Sequence, residues 1–173
     1  MNLETKCRRI ELLLSDVDGV MTDGRIVYDN QGIETKRFHA RDGMGIRLWQ
    51  KSGHSFGIIT QRSSHSVKLR AAELDVSLVR QGAGDKMSTL EELAELSGVE
   101  LDRIAYIGDD LPDLAVIRAV GLGVAVADGA AEVCEAADYV TTLPGGGGAV
   151  RETIEVILKS QQRWQDVIRS YTG

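Results

Sequence analysis

The sequence predicts an α/β fold, a parallel sheet with helices packed on both faces. Three observations carry this reading. Short apolar runs of strand length recur along the chain, each followed by a segment of helical periodicity. Strands that alternate with helices of 8–15 residues form parallel sheets covered on both sides. No repeat, proline-rich linker or shift in composition divides the 173 residues, so the expectation is one domain over 1–173.

The elements follow in order. Residues 11–16 are an apolar first strand ending in Asp16. Two β-rich runs flank Asp29-Asn30-Gln31-Gly32, which predicts a hairpin over 25–38. Asp42 is expected to cap a helix running to Lys51, with Gly53 stopping it. His54 to Thr60 forms the second sheet strand, and a helix of roughly residues 64–74 comes next. Val76 to Val79 is the third strand. Gly82-Ala83-Gly84-Asp85 leads into a helix with Met87, Leu90, Leu93 and Leu96 at helical spacing, closed by Gly98. Ile104 to Gly108 is the fourth strand, and Pro112 suits the first turn of the helix behind it. Leu122 to Ala127 is the fifth strand, 130–136 a short helix and Tyr139-Val140 an edge strand. Gly145 to Gly148 reads as a flexible loop before a helix that begins near Ala149. The tail 159–173 carries Trp164, Val167, Ile168 and Tyr171 at helical spacing.

Composition narrows the function. A formal net charge of −6 argues against a nucleic-acid or anionic-membrane surface. The two cysteines, Cys7 and Cys134, have no paired spacing, so neither a zinc site nor a disulfide framework is expected. No apolar run nears the ~20 residues of a membrane span, and residues 1–11 lack a signal-type core. The expected compartment is the cytoplasm.

Ligands of open parallel sheets sit beyond the carboxyl ends of the strands. The polar residues at those ends are Asp16 and Asp18, Thr60, and Asp109 and Asp110, with Lys86 opening the helix after the third strand. Several carboxylates converging on one crevice repel one another unless a cation joins them. Oxygen-only ligands suit a hard ion such as Mg²⁺. Asp16 and Asp109 are the best direct ligands, and the Asp18 carbonyl is a third. Asp113, one helical turn past Asp109, and Asp110 are candidates for supporting the metal shell. Thr60 and Lys86 add a hydroxyl and a positive charge, which makes a phosphoryl-binding set. Asp16 is then the candidate nucleophile and phosphoryl acceptor. Asp18 is the candidate acid and base, kept protonated by partial burial against like charges. A receiver-like domain that stores a phosphoryl group shares the acidic pocket but does not need Asp18.

Asp16-Val17-Asp18-Gly19-Val20, Ile58-Ile59-Thr60, Lys86, and Gly108-Asp109-Asp110-Leu111-Pro112-Asp113 resemble, in order and spacing, the four motifs of haloacid dehalogenase (HAD) superfamily phosphatases. Arg41-Asp42-Gly43-Met44-Gly45-Ile46, Gln81-Gly82, Val124 to Asp128, Ala137 to Thr141 and Gly148 to Glu152 extend the likeness to 3-deoxy-D-manno-octulosonate (KDO) 8-phosphate phosphatases. The resemblance implies a Rossmann-like (HAD-like) sheet, Mg²⁺, a sugar-acid phosphate substrate and a homotetramer. A sister activity acts on 2-keto-3-deoxynononate 9-phosphate. Arg62 and Glu73 carry the reverse of the charges that mark that subgroup, which favours the octulosonate. Arg41 and Arg62 are the candidates for binding the substrate carboxylate. Gln61 and Gly147 depart from the usual glycine and arginine of the family.

Many phosphatases of this superfamily carry a cap domain between the first and second motifs or between the second and third. Neither gap here is long enough for one, so the fold is capless. Closure of the site is expected from neighbouring subunits, with the hairpin at 25–38 pairing between chains.

Overall fold

The computed structural model describes residues 2–172. Its elements are α1 (Leu3–Arg9), β1 (Leu12–Ser15), β2 (Val27–Tyr28), β3 (Glu34–Thr35), α2 (Ala40–Lys51), β4 (Ser55–Thr60), α3 (His65–Glu73), β5 (Leu78–Gln81), α4 (Lys86–Ser97), β6 (Ile104–Gly108), α5 (Leu114–Ala119), β7 (Leu122–Ala125), α6 (Ala131–Ala136), β8 (Tyr139–Val140), α7 (Ala149–Ser160) and α8 (Trp164–Thr172). Short 3-10 turns precede β6 and α5.

Six strands form one parallel sheet in the order β5-β4-β1-β6-β7-β8. The chain builds outward from β1 through β4 to β5, then returns to the other side of β1 with β6. That reversal opens a crevice beyond the carboxyl end of β1, between β4 and β6. Leu13 of β1 faces a core shared with Trp49, Ile58, Ile154 and Leu158. Leu12 and Leu14 face the opposite core with Leu90, Leu93 and Tyr106. The alternation explains why every residue of β1 is buried although the strand has only four.

The expected elements are present, with local differences. The third sheet strand spans 78–81 rather than 76–79, because Val76 still bonds back to Ala71 at the end of α3. The fifth closes at Ala125 instead of Ala127. The helix expected from Asp42 begins at Ala40, capped by the His39 ring accepting from the Arg41 amide. Asp42, 2% exposed, instead caps a different helix: its Oδ1 accepts from the Arg151 amide in the first turn of α7, at 2.8 Å. Helix α1 was not among the expected elements. The hairpin pairs over only two residues per strand, Val27 with Thr35 and Tyr28 with Glu34. In the tail, α8 leaves Ile168 and Tyr171 exposed.

The glycine run is the largest departure, because it is packed and not a free loop. Gly146 donates to the Val20 carbonyl at 2.9 Å, and Gly145 donates to Asp128 Oδ1 at 2.8 Å. A Cβ on Gly145 would stand 1.8 Å from the Gly19 carbonyl oxygen. The run therefore braces the turn that follows β1.

Candidate active site

The crevice gathers Asp16, Asp18, Thr60, Gln61, Arg62, Lys86, Asp109, Asp110, Pro112 and Asp113 around a cavity of about 140 Å³. Three strand ends and one helix start place them. Asp16 follows β1, Thr60 ends β4, Asp109 follows β6, and Lys86 is the first residue of α4. Asp85 caps α4 by accepting from the Met87 amide, which fixes where Lys86 emerges.

Lys86 is 4% exposed and lies between two carboxylates, 2.9 Å from Asp16 Oδ2 and 2.5 Å from Asp113 Oδ1. Asp113 is saturated. Its Oδ1 also accepts from the Tyr106 hydroxyl at 2.5 Å, and its Oδ2 accepts from the Asp109 and Asp110 amides at 3.0 and 3.3 Å. It thus holds Lys86 and the turn after β6 in one arrangement. Asp110 caps that turn through the Leu111 amide.

Asp16, Asp109 and Asp113 offer carboxylate oxygens that lie within 4.8 Å of one another. One lysine does not balance them. Burial pushes Asp16 up to about 6; the Lys86 charge opposes this and the Asp113 charge adds to it. Burial and then the Asp16 and Asp113 charges push Asp109 up to about 7. Lys86 is itself held above its ordinary value, since the two carboxylates outweigh its burial. A site short of positive charge, lined by hard oxygen donors, fits a divalent cation. With Asp113 engaged by four donors, Asp109 and the less heavily engaged Asp16, which meets the Val17 amide through Oδ1 and Lys86 through Oδ2, are the carboxylates best placed to ligate it.

Asp18 departs from expectation. Its neighbours are cations rather than like charges. Oδ1 is ion-paired with Lys36 Nζ, and Arg62 Nε lies 3.8 Å from Oδ2. Arg62 in turn donates to Glu34 at 2.6 Å and to the Tyr28 hydroxyl at 3.2 Å. Arg41 is not brought to this crevice. It lines a separate depression with Thr142, Arg151 and Glu155. Two contributors escaped the sequence reading. Tyr106 reads there as a core strand residue, and Lys36 as part of an exposed hairpin.

Comparison with known proteins bears on this geometry. Residues 76–151 match a family model described as haloacid dehalogenase-like hydrolase. The KDO 8-phosphate phosphatase of Salmonella typhi is 43% identical over 157 residues, covering 91% of this chain and 84% of that one. This chain belongs to the KDO 8-phosphate phosphatase family of HAD-like hydrolases. The Escherichia coli K12 phosphatase of that name is equally similar, at 43% over 90% of this chain and 83% of its own. Among solved structures, the Moraxella catarrhalis phosphatase in complex with magnesium, phosphate and KDO superposes with a TM-score of 0.95 and 44% identity, covering 97% of each chain. A cobalt-bound form of the Haemophilus influenzae phosphatase gives 0.88 and 38%, covering 91% of this chain and 92% of that one. The HAD-like fold and the phosphoric monoester hydrolase class expected from the sequence are thereby established for the chain.

Proposed function

We propose that this protein hydrolyses KDO 8-phosphate to KDO and inorganic phosphate with Mg²⁺ as cofactor. The observation that carries the chemistry is the convergence of Asp16, Asp18, Thr60, Lys86 and Asp109 on one crevice. The relatives carry the choice of substrate.

The Thr60 hydroxyl and the Lys86 ammonium bind the phosphoryl oxygens. The Asp16 carboxylate attacks phosphorus, and the ester P–O bond breaks as Asp18, which takes up a proton from solvent when the negative charge of the substrate joins the crevice, gives that proton to the leaving sugar oxygen. Asp18, now ionised, takes a proton from the water that attacks the aspartyl-phosphate. The P–O bond to Asp16 then breaks and phosphate departs. Mg²⁺ would be held by Asp16, Asp109 and the Asp18 carbonyl, and would supply charge neutralisation for the transferred phosphoryl group. Asp113 and Asp110 act behind these groups. Arg62, on the rim, is assigned to the sugar-acid carboxylate. Arg41 is given no part in the same chain's crevice.

The reaction is assigned to the cytoplasm. The assembly is a homotetramer in which the hairpin covers a neighbouring crevice. Ile26, Val27, Tyr28 and Ile33 are 44–58% exposed on that hairpin, an apolar surface suited to such pairing.

The test is a panel of sugar phosphates assayed with Mg²⁺. KDO 8-phosphate should give the highest kcat/KM. A higher value on 2-keto-3-deoxynononate 9-phosphate or an unrelated ester overturns the substrate assignment.

A further inference from the structure

The hairpin is exposed, yet the side chain of its single lysine is not. The Lys36 side chain is 1% exposed and points back into the crevice, where it is ion-paired with Asp18 Oδ1 and lies 3.3 Å from Glu34 Oε1. Burying an ammonium is costly unless carboxylates surround it. A two-residue strand at the edge of a small hairpin gains little from such burial. Glu34 is the cross-strand partner of Tyr28 and also accepts from Arg62, so four charged groups, Asp18, Lys36, Glu34 and Arg62, form one chain from crevice to hairpin.

The two oxygens of Asp18 are treated differently by this chain. Oδ1 is taken by Lys36. Oδ2 is buried and has no hydrogen-bond partner, with Arg62 Nε standing off at 3.8 Å. A buried unpaired carboxylate oxygen beside a ligand cavity is unfavourable unless it has a task.

We propose that Lys36 is a positioning residue for catalysis: its buried ammonium holds the Asp18 carboxyl by Oδ1 and so fixes the orientation from which that side chain meets the substrate for proton transfer. Lys36 does not itself line the cavity. Glu34 anchors Lys36 from the other side, and Arg62 ties Glu34 in place. The hairpin thus sets the orientation of the acid through its own side chains. The inference rests on the phosphatase reading and on Asp18 as its acid and base.

The test compares Lys36→Met, Lys36→Arg and Glu34→Gln with wild type, reading kcat and KM on KDO 8-phosphate at saturating Mg²⁺ together with melting temperature. Lys36→Met is expected to lower kcat about 30-fold with KM changed less than about threefold, the pattern of a lost transition-state interaction. Lys36→Arg, which keeps a cation, should recover most of that loss. If Lys36→Met does not fold, the reading passes to Glu34→Gln, expected to lower kcat more than about threefold at unchanged KM. A folded Lys36→Met with wild-type kcat overturns the proposal. So does a rise in KM at constant kcat, which would make Lys36 a direct substrate ligand, or an equal loss in Lys36→Arg. Failure of the wild type to release phosphate from any ester would instead sink the phosphatase reading.

Discussion

A Cβ placed on Gly19 would lie 2.0 Å from Oδ2 of Asp109. Gly19 has φ +94°, a conformation that L side chains rarely adopt, and its bare Cα lets the turn after β1 close against the end of β6. The sequence predicts the turn; the structure adds a second purpose, making room for the Asp109 carboxylate. Gly19→Ala should therefore move Asp109. The expected outcome is a kcat/KM lower by about 100-fold or more and a raised Mg²⁺ half-saturation, with backbone strain of about 1–2 kcal/mol. Magnesium titration of activity, alongside circular dichroism, checks it; an unchanged half-saturation would refute the link.

Asp16→Asn removes the proposed nucleophile while keeping its shape. Turnover should fall at least about 1,000-fold, and no phosphoenzyme should be trapped on rapid acid quench. A trapped aspartyl-phosphate in this variant would move the nucleophile elsewhere.

Tyr106 supports the site from within the core. Its hydroxyl is wholly buried and donates to Asp113 Oδ1, and Lys86 Nζ lies 3.3 Å from it. Tyr106→Phe should cost about 1–2 kcal/mol of stability in urea unfolding. It should raise KM more than it lowers kcat, because the loosened Lys86 is the proposed phosphate ligand both before and during reaction.

Metal and pH are linked through Asp16 and Asp109. Both are raised, to about 6 and about 7. The folded, metal-free protein therefore holds protons that the unfolded chain has released. This stabilisation is full below the ordinary carboxylate range and is lost as pH rises through about 6 to 7. His54, pushed down by burial, acts with the opposite sign, so the comparison needs a control. The melting temperature without metal should fall more steeply with pH in wild type than in Asp109→Asn. Added Mg²⁺, which requires ionised ligands, should raise it more at pH 8 than at pH 5. Equal slopes in the two proteins would contradict the assignment.

The residues legible in the sequence share a property: their position along the chain already implies their place in space. Asp16, Thr60 and Asp109 end buried strands of one parallel sheet, and Lys86 opens a capped helix, so a crevice beyond the strands collects them. Lys36 and Tyr106 lack that property. Tyr106 is one of five buried residues in β6, and nothing local marks its hydroxyl as paired with Asp113. Lys36 reads as a surface lysine until the hairpin folds over Asp18. Asp42 misled for the same reason: its capping chemistry was right, but it serves α7, 109 residues away. Short-range signals identify what a side chain can do; only the tertiary fold decides for which neighbour.

The cavity of about 140 Å³ is well below the roughly 300–1,000 Å³ of pockets that enclose a small molecule. A phosphate group fits there and an eight-carbon acid does not. An inhibitor shaped only to that space would meet the groups any phosphate ester requires, and would have little reason to prefer this enzyme over another that handles phosphate the same way. Selectivity in such a compound must come from atoms that stand outside the cavity, against Arg62 and the hairpin.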